Sequence, residues 1–326
     1  MRSGPLADHG LAHAARVSPV SISATLPIFV LIITGILASL ATGFTLQSLP
    51  NILLVVIGVL VLDVLIQFAR PNKVSFRALT FLYGFLYLVT ACVCGVLAAY
   101  AMQRAGFPLR DHMLNTIDRA LGFDWPAYAH WVDRHPLVQS LLYPAYHSIS
   151  LQIALPVLVL AAAGRLDELR LYLLAFAIAF VTTIFISATM PAVGPIMFAD
   201  RNAFDILRFT GATPVEHLNQ LRASGPLVMT EFPGGIATFP SFHSTVAVLT
   251  PLALRRHRLI FAALLLLNAA MLAGTLTEGA HYLIDVIAGC AMAAFGFMLA
   301  RPVIRLEDRL MQRRAQPARD LTPATA

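Results

Sequence analysis

Residues 255–289 read RRHRLIFAALLLLNAAMLAGTLTEGAHYLIDVIAG, and this stretch decides the fold. A basic turn, Arg255 to Arg258, leads into an apolar run of about 20 residues, the length a helix needs to cross a hydrocarbon core about 30 Å thick. A short polar interruption, Thr275 to His281, then gives way to a second apolar run. Within lipid every backbone N–H and C=O must be satisfied locally, so two such runs joined by a polar turn read as a helical hairpin. The same pattern recurs along the chain at about 24–43, 51–69, 79–101, 140–163, 171–190, 240–254, 259–277 and 281–300, the sixth of these being short. The first run is too long for a signal-peptide core and lacks a small-residue cleavage site, so it reads as a retained helix. The expectation is an all-α, polytopic helical bundle of about 6–8 transmembrane helices. A single transmembrane domain, 23–300, lies between tails at 1–22 and 301–326.

Composition points the same way. Of 326 residues, 58% are hydrophobic and 12% charged, against about 25% charged in soluble domains. Cys92, Cys94 and Cys290 cannot make a disulfide framework and read as packing residues. The net charge of +6 would suit a nucleic-acid partner, but the basic residues sit in short clusters between apolar runs, which is a topology signal and not a nucleic-acid footprint. An eight-helix path puts 16 of the 23 Lys and Arg residues on one side. By the positive-inside rule both termini are cytoplasmic and the protein is a multi-pass inner-membrane protein.

Two long segments, 102–139 and 191–238, then face outward. In the first, Leu114, Ile117 and Leu121 recur at helical spacing opposite Asn115, Asp118 and Arg119, and Trp125, Tyr128 and Trp131 follow. This predicts an interfacial helix with an aromatic belt. The second is rich in Pro and Gly and ends in Phe239-Pro-Ser-Phe-His-Ser244. Pro240 and Ser241 are start signals, so His243 falls in the first turn of a helix, where backbone N–H groups and the helix dipole favour an anion. His281 and Asp285 are four apart and share a helix face; a carboxylate on one ring nitrogen leaves the other as base or nucleophile. Asp285 also lies inside an apolar span, where an acidic group is costly unless it is paired.

The Pro240-Ser-Phe-His243 turn and the His281-x3-Asp285 pair resemble the second and third motifs of the type 2 phosphatidic acid phosphatase superfamily. The longer strings, Phe239 to Ser244 and His281 to Gly289, are similar to the branch containing inositol phosphorylceramide synthase. The resemblance implies that His281 attacks phosphorus, Asp285 holds and polarises it, and His243 protonates the leaving oxygen and then activates water or an alcohol. It further implies that Ser241, Ser244 and nearby amides bind phosphate oxygens, and that no metal or cofactor is needed. The expected partners are a lipid phosphate or phosphodiester, an alcohol acceptor and membrane lipids. Headgroup transfer of the synthase type is the expectation, with a plain lipid phosphate phosphatase as the alternative.

This sequence departs from the broad pattern in two places. Thr275 stands where the superfamily has an Arg six residues before the third-motif His, a change that the synthase branch shares. Asp63-x6-Arg70-Pro71 imitates the first motif, but with the wrong sign at 63 and on the cytoplasmic side. Asp63 reads instead as a structural polar residue with Gln67 one turn away. The phosphoryl charge still needs a partner. Arg134, Arg201, Arg208 and Arg222 are the outward candidates, each equally readable as a loop charge. His147, beside Tyr143 at the outer end of the fourth span, reads as a pocket residue or as a buried structural histidine, and Glu278 as a partner of His281 or as a cap. A metal hydrolase and a proton-relaying transporter are the rival classes. The first lacks any His-x-x-Glu-His or His-Glu-x-x-His pattern, and the second lacks an ionisable path across the bilayer.

Overall fold

The computed structural model describes residues 22–46, 73–198, 218–223, 227–229 and 238–315, with isolated positions 54, 57, 58 and 61. It is almost wholly helical. The helices are α1 (Ile22–Thr42), α2 (Lys73–Gln103), α3 (Asp111–Ala120), α4 (Trp125–Asp133), α5 (Pro136–His147), α6 (Ile149–Ala163), α7 (Leu166–Thr189), α8 (Phe242–Ala253), α9 (Arg258–Thr277) and α10 (Leu283–Ala315). Two three-residue strands, β1 (Phe44–Leu46) and β2 (Leu227–Met229), pair in parallel with Phe44 opposite Leu227.

Among the described residues four helices are long and apolar enough to cross a membrane: 76–103 of α2, α7, α9 and 283–312 of α10. The run at 140–163, read from sequence as one straight span, is α5 and α6, bent by 51° at Ser148; counted as one, it makes a fifth. The runs at 24–43 and 240–254 are the shorter apolar helices α1 and α8. The run at 51–69 lies outside the described residues except for isolated positions, as do Asp63, Gln67 and Arg70. Residues 301–315, read as the start of a tail, continue α10. Arg170 near the start of α7 ties them down, donating to Glu307 Oε2 and Asp308 Oδ1, both at 2.7 Å.

α7 is the central post, and its buried residues recur on every side of the helix, as expected of a span surrounded by protein. Small residues let its neighbours close in: a Cβ on Gly296 of α10 would meet the Ala175 carbonyl at 2.5 Å, and one on Gly95 of α2 would meet the Phe180 ring at 2.2 Å. Close backbone approach replaces the hydrophobic drive that helices lack in lipid.

The segment after α2 packs against the ends of other helices and does not present the expected aromatic belt outward. The buried face of α3 is Asp111, Leu114 and Asp118, while Leu121 is exposed. Trp125 is buried and donates through Nε1 to the Leu276 carbonyl at 2.6 Å; the Tyr128 hydroxyl donates to Ala273 at 3.1 Å. Of the proposed aromatic belt only Trp131 is exposed. α3 and α4 are clamped onto the ends of α9 and α10, and that clamp positions the site.

Candidate active site

Three segments converge where α9 ends and α8 and α10 begin. α8 starts as its sequence predicts: Ser241 is the N-cap, and its Oγ accepts from Ser244 N at 3.4 Å. The turn is seated on α10, since Ser241 N donates to the Asp285 carbonyl at 3.0 Å and Thr245 Oγ1 to the Gly289 carbonyl at 2.9 Å. A Cβ on Gly289 would fall 2.2 Å from the Ser241 carbonyl oxygen, so glycine permits the approach.

The second segment is the turn from α9 to α10. Glu278 N donates to Gly274, Ala280 N to Thr277 and His281 N to Thr275, which folds the chain back on the last helical turn. Ala280 sits at φ 45°, the left-handed region that non-glycine residues seldom occupy. Such strain, of about 1–3 kcal/mol, persists where the surroundings enforce it. Here it lies one residue before His281. His281 Nδ1 donates to Asp285 Oδ2 at 3.1 Å, and the same oxygen accepts from Tyr282 N at 3.0 Å. With Nδ1 carrying the proton, Nε2 keeps its lone pair. Asp285 is fully buried, and its Oδ1 has no hydrogen-bond partner among the described residues.

The third segment is α5. The Tyr146 ring stacks on His243, with centroids 4.0 Å apart and planes 10° apart. Gly279 is packed between Tyr146 and His281: a Cβ there would meet His281 Cδ2 at 2.6 Å and Tyr146 Cε2 at 3.1 Å. His243 lies within electrostatic reach of His281 and His147. His147 is exposed and its ring touches Tyr143 and Tyr146, so the reading as a buried structural histidine does not hold. The structure thus gathers His243, His281, Asp285, His147 and Ser241 in one place. Ser244 is nearby but faces α10, its Oγ buried without a partner among the described residues.

Two carboxylates that sequence reasoning left unused brace this turn. Asp118 accepts from Leu283 N at 2.7 Å and Ile284 N at 2.9 Å, capping α10 from α3. Asp111 accepts from Val193 N and Gly194 N, each at 2.9 Å, and from the Tyr282 hydroxyl at 3.0 Å. Burial pushes the Asp118 carboxyl up, and the two amides oppose the shift. Burial and the neighbouring Asp111 also push the Tyr282 phenol up, which keeps it a donor. The available signal was the seven-residue spacing of Asp111 and Asp118 on the same side as Leu114.

Glu278 is 4% exposed, its Oε1 has no partner among the described residues, and burial pushes its carboxyl up to about 7. It acts on Tyr146 electrostatically and makes no hydrogen bond to His281 among those present. Thr275 brings no charge, since its hydroxyl turns back to the Met271 carbonyl at 2.8 Å. Arg134 donates to His130 at 3.1 Å and Arg222 to Phe107 at 2.8 Å, so both are engaged with nearby carbonyls. Arg201 and Arg208 lie outside the described residues.

A family model described as the PAP2 superfamily matches residues 112–299, from α3 to α10. The chain belongs to this superfamily. No curated protein and no solved structure is significantly similar to it. PAP2 membership supports a membrane-embedded lipid phosphoesterase of the phosphatase or phosphotransferase type. The matched span contains the stacked His243, the His281–Asp285 pair and the bracing Asp118, and begins one residue after Asp111.

Proposed function

We propose that this PAP2 protein transfers a phosphate-bearing lipid headgroup through a phosphohistidine, with His281 as nucleophile, Asp285 as its orienting carboxylate and His243 as acid and base. In the first half-reaction His281 Nε2 forms a bond to phosphorus as the ester P–O bond breaks, and His243 gives its proton to the leaving oxygen. In the second, an acceptor hydroxyl loses its proton to His243 and attacks phosphorus, the P–N bond breaks, and His281 is regenerated. Ser241 and the first amides of α8 bind the phosphoryl oxygens, with Ser244, His147 and the outer arginines, Arg201 and Arg208 among them, as further substrate contacts. No metal takes part in this scheme.

The observation that carries the reading is the His281 Nδ1–Asp285 Oδ2 hydrogen bond at 3.1 Å, which frees Nε2 beside His243. Thr275 in place of a cation favours transfer of the inositol phosphorylceramide synthase type, the branch that shares this change. The site lies at the end of the bundle opposite the turns holding Arg165 and Arg256, both of which pair with Glu168. By the positive-inside rule this arrangement supports termini in the cytoplasm and chemistry at the outer face of the inner membrane.

The test offers purified protein a panel of phospholipids and prenyl phosphates, with and without inositol or ceramide, in the presence of chelator. A new phosphodiester, lost in His281→Ala, is expected. Free phosphate as sole product would indicate the phosphatase instead, and unchanged activity in His281→Ala would sink the mechanism.

A further inference from the structure

A groove of about 500 Å³ opens between α8 and α10, at the end of the bundle away from the site. Its floor is apolar, including Leu252, Phe297 and Met298, and its rim carries Arg255, Arg301 and Arg305. Arg301 lies sixteen residues beyond Asp285 on α10, about 24 Å along the helix at 1.5 Å per residue. The groove is therefore separate from the phosphoryl chemistry.

Charge pairing at this end of the molecule is incomplete. Glu168 takes Arg165 and Arg256, and Glu307 and Asp308 take Arg170. Among the described residues Arg255, Arg301 and Arg305 have no acidic partner. Arg255 makes one hydrogen bond, to the Leu252 carbonyl at 2.9 Å, which holds its guanidinium over the groove mouth. Arg77, Arg258 and Arg309 also lack an acidic partner among the described residues, but only Arg255, Arg301 and Arg305 line the apolar slot, where three cations converge without a counter-charge. Met298 is 62% exposed on α10, a helix long and apolar enough to cross a membrane, so the slot opens to the outside of the bundle, with its arginines gathered toward the end of that helix.

We propose that this groove is a binding site for an anionic phospholipid of the leaflet opposite the active site, its phosphate held by Arg255, Arg301 and Arg305 and one acyl chain lying along Phe297 and Met298. Clustered arginines between helices recognise anionic headgroups by charge-assisted, often bidentate bonds, and the apolar floor favours a lipid over a free anion.

The experiment uses the full chain in nanodiscs of phosphatidylcholine containing a minor fraction of phosphatidylglycerol, followed by release and native mass spectrometry. The wild type should retain phosphatidylglycerol in preference to phosphatidylcholine. Arg301→Gln with Arg305→Gln should lower that retention by about tenfold or more, whereas Arg258→Gln, at the same end but outside the groove, should leave it unchanged. Ala294→Trp keeps every charge and fills the slot, and it should lower retention similarly, which covers the case of a double variant that does not fold. Equal retention of both lipids, wild-type retention in the groove variants, an equal loss in Arg258→Gln, or displacement by millimolar inorganic phosphate would each overturn the proposal.

Discussion

Replacing Asp118 tests whether α3 is a working part of the site. Its carboxylate is 2% exposed and accepts two main-chain hydrogen bonds, at 2.7 and 2.9 Å, from the first turn of α10. Hydrogen bonds to a charged group are worth about 1.5–3 kcal/mol each, so a bare sum gives about 3–6 kcal/mol. Burial already pushes this carboxyl up, so part of that gain is spent on desolvation. Substituting a helix N-cap costs about 0.5–2 kcal/mol. Asp118→Ala should therefore lose about 3 kcal/mol. Asp118→Asn, which keeps one acceptor oxygen, should lose about half as much. The same turn carries Asp285, the partner of His281, so loosening it misplaces the imidazole. A displacement of about 1 Å can cost on the order of 10²-fold in rate. Thermal unfolding in detergent micelles and rapid-quench measurement of protein phosphorylation read the two effects separately. If Asp118→Ala melted with the wild type and phosphorylated at the wild-type rate, the brace would be incidental and the reasoning refuted.

Asp285→Asn should cut the phosphorylation rate by on the order of 10³ to 10⁴, because an amide can stabilise the wrong imidazole tautomer; wild-type rates would count against His281 as nucleophile. Its melting temperature should change little or rise, since a buried charge with one unpartnered oxygen is removed. Glu278 titrates near 4.5 when unfolded and about 7 when folded. The raised native value means that the folded state holds the proton more tightly, so this contribution to stability is complete below pH 4.5 and lost as pH rises through about 7. Glu278→Gln should flatten that loss by up to about 3 kcal/mol, and superimposable stability–pH curves would contradict the assignment. Gly289→Ala puts a methyl 2.2 Å from the Ser241 carbonyl oxygen. It should separate α8 from α10, with a loss of about 1–3 kcal/mol and of activity, measured by the same melts and assays.

What was legible in the sequence is what acts over three or four residues, although His281 lies in the turn before α10 and not on its face as expected. Ser241 caps its own helix, and Asp285 reaches His281 across four residues, so residue type and spacing sufficed. The long apolar runs were legible because lipid demands them. Asp111 and Asp118 were not, because their partners lie far along the chain: the Asp118–Leu283 bond spans 165 residues and the Asp111–Tyr282 bond 171. Periodicity grouped Leu114 with Ile117 and Leu121 as an interfacial stripe. In the fold, the amides at the start of α10 give Asp118 its partners and those of Val193 and Gly194 give Asp111 its own, so the buried face of α3 is the one that carries Asp111, Leu114 and Asp118. Trp125 misled for the same reason, since its ring fits an interface equally well and only the Leu276 carbonyl decides otherwise. The bend at Ser148 is equally non-local. It bends the α5–α6 span by 51° just after the Tyr146 ring that stacks on His243, and hydropathy does not report such a break.

The bracing carboxylates also bear on where an anion can sit. Two helices begin at this site, and each N-terminus carries a partial positive charge. At α10 that charge is already met, because Asp118 occupies the Leu283 and Ile284 amides. At α8 the N-cap is a neutral serine, and among the described residues the amides of Phe242 and His243 have no protein acceptor. In the proposed mechanism the phosphoryl group is therefore drawn to the start of α8 and not to that of α10. On this reading the phosphoryl group lies beside the His243 ring that Tyr146 holds by stacking. Asp118→Asn removes a charge near the unfavourable end and leaves α8 untouched. It should therefore weaken turnover without weakening phosphate binding, and a raised Kd for an unreactive phosphonate lipid in that variant would place the anion at α10 instead.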